Sequence, residues 1–281
     1  MDTVVVTGAT SGIGLAITRL LSASGYRIIG IGSNETSCLK AHDLLHDEQV
    51  TFLAADLLQK REVMRIADVI ETRLAHPDNR LRALINNAGA FRSWYSTTEE
   101  GYEHQFALNH LAGFMLTWKL LPHLLRARGR VIMTSSYAHL RARMHWNDIM
   151  LKRLYNPLSA YRQSKLCNLL FAQALNDRFH AQGLYAYAVD PGLVRTDIGS
   201  KKTGFLVTLI WLIHKRRGID PSIPAHDYRY LCNIEPAPEG LYFHQGEFRQ
   251  FNRLVTDSNA RRLFSLSEQL CDISYDDYQK G

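Results

Sequence analysis

Near its amino end the chain reads Val4-Val5-Val6-Thr7-Gly8-Ala9-Thr10-Ser11-Gly12-Ile13-Gly14, then an apolar-periodic stretch to about Ala23. No other feature limits the fold as much. Three β-branched residues in a row read as a strand buried on both faces, as in a parallel sheet. Glycines let the chain turn sharply and come close to a ligand, and the free N–H groups and dipole at the start of the next helix attract phosphate. Strand, glycine turn and helix in that order predict the first unit of a nucleotide-binding sheet, with a pyrophosphate over Gly8, Ser11, Gly12, Ile13 and Gly14.

The alternation continues along the chain. Strands are expected at Arg27–Ile31, Val50–Ala54, Leu81–Ile85, Arg130–Thr134 and Leu184–Val189, and helices at Leu58–Leu74, roughly Glu100–Arg126, from beyond an irregular stretch at Tyr137–Pro157 through Tyr161 and Lys165 to about Arg178, and near Asn259–Leu270. Strands that alternate with helices imply a doubly wound parallel α/β sheet of the Rossmann type. With 281 residues, 46% of them hydrophobic, residues 1–281 can form one domain.

The chemistry-bearing residues fall at the expected strand ends, where such folds bind ligands. The second strand ends at Ser33-Asn34, where an acid would bond a ribose 2′-hydroxyl and repel a 2′-phosphate. None stands at the tip, although Glu35 follows, so NADP is expected, with NAD the alternative. Asp56 can accept from an adenine amino group while Leu57 packs on the ring; Asp56 could equally cap the next helix. Asn86-Asn87-Ala88-Gly89 suits a backbone that hugs a cofactor. Asn109 is an amide within an apolar helix and needs a partner, either as a satisfied core residue or in a polar relay. Ser135 and Ser136 place hydroxyls at the fifth strand's end.

Tyr161 and Lys165 lie four residues apart in a helical run, so both side chains leave one face. A phenol has a reference pKa of about 10 and needs a nearby cation to favour its phenolate. Lys165 is placed to be that cation. The pair alone is weak, and it gains weight from the glycine turn, Asn86–Gly89 and Ser136.

The net charge of +6 would suit phosphate ligands, an anionic membrane or nucleic acid. With no nucleic-acid motif, nucleic acid is set aside. Cys38, Cys167, Cys232 and Cys271 form no CxxC pair, and the twelve histidines show no HExxH, which argues against zinc chemistry and a disulfide framework. Free thiols and a cytoplasmic location are expected, since Met1-Asp2-Thr3 runs straight into a strand without a signal segment. Residues 197–224 break the alternation. There Gly204–Ile213 is apolar on all sides and meets the basic His214-Lys215-Arg216-Arg217. A lipophilic substrate, a subunit partner or a bilayer surface could cover it. An ordinary core helix is also open, and a lid over a greasy pocket is favoured.

Taken together these motifs resemble the short-chain dehydrogenase/reductase family. Thr7-Gly-x-x-x-Gly-Ile-Gly14, Asp56-Leu57, Asn86-Asn-Ala-Gly89, Asn109, Ser136, Tyr161-x-x-x-Lys165 and Pro191-Gly192 follow in family order. Within the family the chain is similar to the retinol dehydrogenase-like branch, through Ser135-Ser136-Tyr137-Ala138-His139, the wide gap from Ser136 to Tyr161, and Ala260–Glu268. Members of that branch often carry an amino-terminal membrane anchor, which is not expected here, so retinoid substrates and a microsomal location are not carried over.

The resemblance implies hydride transfer between a nicotinamide and the carbonyl or alcohol of a lipophilic small molecule. Tyr161 would act as acid or base, Ser136 would hold the substrate oxygen, Lys165 would bond the nicotinamide ribose, and Asn109 would position a water. Pro191, Gly192 and Thr196 would lie near the nicotinamide. Dimers or tetramers are common in the family. The rival from another class is a nucleotide-binding sensor that has lost turnover, against which the intact Ser136, Tyr161 and Lys165 argue.

Overall fold

A computed structural model describes residues 2–76, 78–194 and 218–278. Thr196, the apolar run 204–213, the basic cluster 214–217 and most of the expected lid lie outside them. Eight strands form one sheet in the order β3-β2-β1-β4-β5-β6-β7-β8. They are β1 (Asp2–Thr7), β2 (Arg27–Gly32), β3 (Val50–Ala54), β4 (Arg80–Asn86), β5 (Arg130–Thr134), β6 (Tyr185–Val189), β7 (Tyr242–His244) and β8 (Glu247–Phe248). All pairings are parallel except β7 with β8. The expected doubly wound sheet is present, extended by the two short strands at the β6 edge.

Helices cover both faces. On one, α1 (Gly12–Ser22) packs against α7 (Ser222–Asn233), and Ile17 and Leu21 meet Ala225, Tyr228 and Leu231 over the β-branched residues of β1 and β2. The other carries α3 (Lys60–Leu74), α5 (Ala112–Ala127), α6 (Pro157–Phe179) and α8 (Asp257–Cys271). The remaining helices are α2 (Glu35–Leu45) and the single turn α4 (His104–Phe106). The order changes direction at β1, with β2 on one side and β4 on the other. A crevice opens at such a switch point, outside the carboxyl ends of the strands.

Two helices set the site. The expected helix from Glu100 starts at His104 instead, because Gly101 adopts a positive φ of 82° and Glu103 caps the turn by accepting from Phe106 N at 2.7 Å. Between α4 and α5 the chain forms a π-helical turn, Ala107–Leu111. Asn109 lies within this turn and is buried; such bulges often mark functional positions. Helix α6 starts at Pro157, a position that suits a residue without an N–H, and Asn156 caps it by accepting from Ser159 N at 2.9 Å. Tyr161 therefore lies one turn into a long helix with a fixed start.

Helix α8 covers the outer side of α5 and α6. Phe264 meets Phe114 edge-on at 5.2 Å and Tyr275 edge-on at 4.7 Å, and the Tyr275 hydroxyl donates to Phe114 O at 2.7 Å. Phe264→Ala is expected to destabilise the protein by about 3–5 kcal/mol in urea unfolding. A loss under about 1 kcal/mol would mean that α8 contributes little to the core.

Candidate active site

The glycine turn and the Asn86–Gly89 turn are joined by side chains. Thr7 Oγ1 accepts from Asn87 N at 2.9 Å and from Ala88 N at 2.8 Å, and Asn87 Nδ2 donates to Thr7 O at 3.0 Å. Gly8 and Gly12 have φ of 66° and 53°, and a Cβ on Gly14 would stand 2.1 Å from Gly8 O. Only glycine fits there. Ser11 sits at the N-cap of α1 with an exposed side chain that bonds no helix N–H, and the first turn holds no acid. Ile13 is half-buried against the α1 and β1 core. These features suit an anion over the α1 N-terminus.

Farther along the strand ends, Ser33 and Asn34 are exposed, and Asn34 caps α2 by accepting from Ser37 N at 2.9 Å. Asp56 accepts from Leu58 N at 3.2 Å and from Gln59 Nε2 at 3.0 Å, and this turn delays the helix to Lys60, with Gln59 as its cap. Leu57 is buried at the edge of the hydrophobic core.

The remaining expected residues converge at the end of β5. Lys165 is buried, and its Nζ donates to Thr134 O at 3.0 Å. Asn168 Nδ2 donates to the same carbonyl at 3.0 Å, and Ser135 Oγ donates to Lys165 O at 3.0 Å. These bonds fix α6 to β5. They set the half-buried Tyr161 near Ser136, whose hydroxyl favours the phenolate. Lys165 Nζ lies 5.6 Å from the Tyr161 ring centroid. Burial pushes the phenol up to about 12, with Ser136 pulling it back, and pushes the Lys165 ammonium down to about 8.

Asn109 is fully engaged. Its Oδ1 accepts from Ala90 N at 2.8 Å, and its Nδ2 donates to Ala90 O at 3.1 Å and to Ser164 Oγ at 2.9 Å. It ties the chain beyond Gly89 to α6. Gly89 fills the space between, since a Cβ there would meet Asn109 Oδ1 at 3.1 Å and Lys165 Nζ at 3.4 Å. At the β6 end, Pro191 is buried and Gly192 is exposed with φ of 72°.

Residues missed from the sequence complete the surroundings. Asp190 is buried and accepts from Gly192 N at 2.9 Å and from Tyr242 OH at 3.1 Å. His139 is buried with Nδ1 2.6 Å from Ser136 O, and its ring meets Tyr242 edge-on at 4.6 Å. A carboxylate directly after an apolar strand was the signal for Asp190. Tyr242 lies too far along the chain to have been linked to it.

A family model described as short chain dehydrogenase matches residues 2–204. The chain belongs to the short-chain dehydrogenase family. Retinol dehydrogenase 12 of Mus musculus is 35% identical over 282 residues, covering 97% of this chain and 87% of the relative. This short-chain dehydrogenase is also similar to a crystal structure of an uncharacterized protein from Mycobacterium paratuberculosis, with a TM-score of 0.73 and 30% identity over 97% of this chain and 94% of that one. A short-chain dehydrogenase from Sphingobium yanoikuyae in complex with NADPH shares the fold, with a TM-score of 0.65 and 21% identity over 97% and 95% of the two chains. Membership makes the protein an NAD(P)-dependent oxidoreductase acting on a small molecule, similar to retinol dehydrogenases.

Among the described residues no helix is long and apolar enough to cross a membrane, and no group of three or more His, Cys, Asp or Glu could hold a metal.

Asn109→Ala would strand three polar partners in a half-buried place. It is expected to cost about 1–3 kcal/mol in urea unfolding, with Asn109→Asp, which keeps the acceptor, costing less. Equal losses for the two would show that the donor and acceptor are not separately used.

Proposed function

We propose that this short-chain dehydrogenase uses NADP(H) to interconvert a carbonyl and an alcohol on a lipophilic small molecule, with Tyr161 as the acid–base group. The observation that carries this reading is the placing of Tyr161 near Ser136 at the end of β5, with the Nζ of the buried Lys165 5.6 Å from the phenol ring. The nicotinamide, when bound, supplies or accepts the hydride at the substrate carbon.

The chain's own residues would handle the oxygen and the proton. Ser136 Oγ would hold the substrate oxygen, and Tyr161 OH would give it a proton in reduction or remove one in oxidation. Lys165 would hold the nicotinamide ribose and favour the phenolate when Tyr161 gives up its proton. Asn109 would keep the Ala90 backbone and Ser164 in register and position a water. Gly8, Ser11, Gly12, Ile13 and Gly14 would receive the pyrophosphate, and Asn87, Ala88 and Gly89 would face the dinucleotide from the β4 side. Asp56 would accept from the adenine, with Leu57 packing on the ring. Pro191 and Gly192 would border the nicotinamide, as would Thr196.

NADP is favoured over NAD because the end of β2 offers Ser33 and Asn34 and no carboxylate at its tip. The dehydrogenase from Sphingobium yanoikuyae, solved with NADPH, supports the same choice. A lipophilic substrate is supported by the apolar groups around the acid. Phe91 stands edge-on to Tyr161 at 5.8 Å, and Tyr137, next to Ser136, and Leu193, next to Gly192, are 67% and 53% exposed. The retinol dehydrogenase relative acts on a molecule of this kind by its name.

Tyr161→Phe is expected to leave NADPH binding, read by fluorescence, nearly unchanged and to lower turnover of lipophilic aldehydes and ketones about 10²- to 10⁴-fold. Turnover at the rate of the unaltered enzyme would remove Tyr161 from the mechanism. Lys165 also sets a pH dependence. Its ammonium is present below about 8 and lost above, so NADPH affinity should hold at neutral pH and weaken roughly 10- to 100-fold as the pH rises through about 8. Lys165→Arg, which stays charged, should flatten this profile. A flat profile for the unaltered enzyme would contradict the role given to Lys165.

A further inference from the structure

We infer that Asp190, at the carboxyl end of β6, is the buried counter-charge of Lys165 and a positioning residue for the hydride-transfer site. This rests on the functional reading above. Asp190 is 4% exposed. Its Oδ1 accepts from Gly192 N at 2.9 Å, its Oδ2 accepts from Tyr242 OH at 3.1 Å, and His244 Nδ1 lies 2.8 Å from its main-chain carbonyl. His244 Nδ1 also lies 3.9 Å from Oδ2.

The register brings the two charges together. Strands β5 and β6 pair with Thr134 opposite Val189, and Ser135 N donates to Val189 O at 2.7 Å. Lys165 Nζ sits on the carbonyl of Thr134, and Asp190 follows Val189. An ammonium and a carboxylate are therefore both buried at adjoining strand ends without touching. Each alone would carry a large desolvation cost. In a medium of low dielectric they compensate each other across the gap. Asp190 is the charge that acts on Lys165, opposing the downward push of burial.

The same carboxylate organises the loop that carries Ser136. It holds Tyr242, whose ring packs on His139, and His139 in turn meets the carbonyl of Ser136. Among the described residues the other titratable groups facing Asp190 are Tyr161 from α6, His139 from the turn after β5, Tyr242 and His244 from β7, and Asp227 and Tyr228 from α7. The carboxylate raises the Tyr161 phenol as well, so it holds the lysine charged while making the phenol a weaker acid.

The test is NADPH affinity by fluorescence from pH 6 to 10 for the whole enzyme, Lys165→Met, Asp190→Asn, Asp190→Ser and Asp190→Glu, with folding checked by circular dichroism. The unaltered enzyme should show a break near 8 that Lys165→Met abolishes. Asp190→Asn and Asp190→Ser should move it about one pH unit lower, and Asp190→Glu should restore it toward its original place. A general loss of packing would weaken binding without moving the break. A break that stays in place in whichever of the Asn and Ser proteins is folded overturns the proposal and leaves the functional reading standing. Absence of NADPH binding by the unaltered enzyme at every pH overturns both.

Discussion

The carbonyl of Thr134 is the point on which the site depends. It ends β5 and takes two buried donors from α6, Lys165 Nζ and Asn168 Nδ2, while Ser135 returns a hydrogen bond to the helix backbone. An ammonium in this setting has few ways to be satisfied, and an unsatisfied one is costly. The helix can therefore sit against the strand in essentially one register. Tyr161, one turn earlier, is carried to Ser136, the second residue beyond Thr134.

Everything else at the strand ends narrows the same crevice. Thr7 joins the first glycine turn to the Asn86–Gly89 turn, so the two sides of the switch point move as one. The π-helical turn lets Asn109 reach Ala90 on one side and Ser164 on the other. The backbone beyond β4 and helix α6 are thereby linked through a single amide. Such cross-links place the catalytic groups on rigid elements, with loops left to form the rim.

Much of this was legible in the sequence. Strands β3 and β5 have the bounds expected from their apolar runs, and the glycine turn bends as its glycines implied, with positive φ at Gly8 and Gly12. The gathering of Ser136, Tyr161 and Lys165 followed from spacing and family likeness. Less was visible where long-range packing decides. Strands β7 and β8 have three and two residues, too short to show a period. The Glu100 helix start failed because periodicity does not register a left-handed glycine at 101, nor one extra residue in a π turn. Asp190 stood in plain view, but its meaning depends on Tyr242 and His244, which only the folded sheet brings to it.

The central claim is that the β5–α6 junction presents Ser136, Tyr161 and Lys165 together to a nicotinamide. A crystal structure of the complex with NADP⁺ tests this most directly. The account expects the Ser136 and Tyr161 hydroxyls to face the nicotinamide within hydrogen-bond reach of each other, with Lys165 Nζ on its ribose. A dinucleotide bound elsewhere, or a Tyr161 phenol turned away from the ring with Lys165 touching no part of the cofactor, would contradict it.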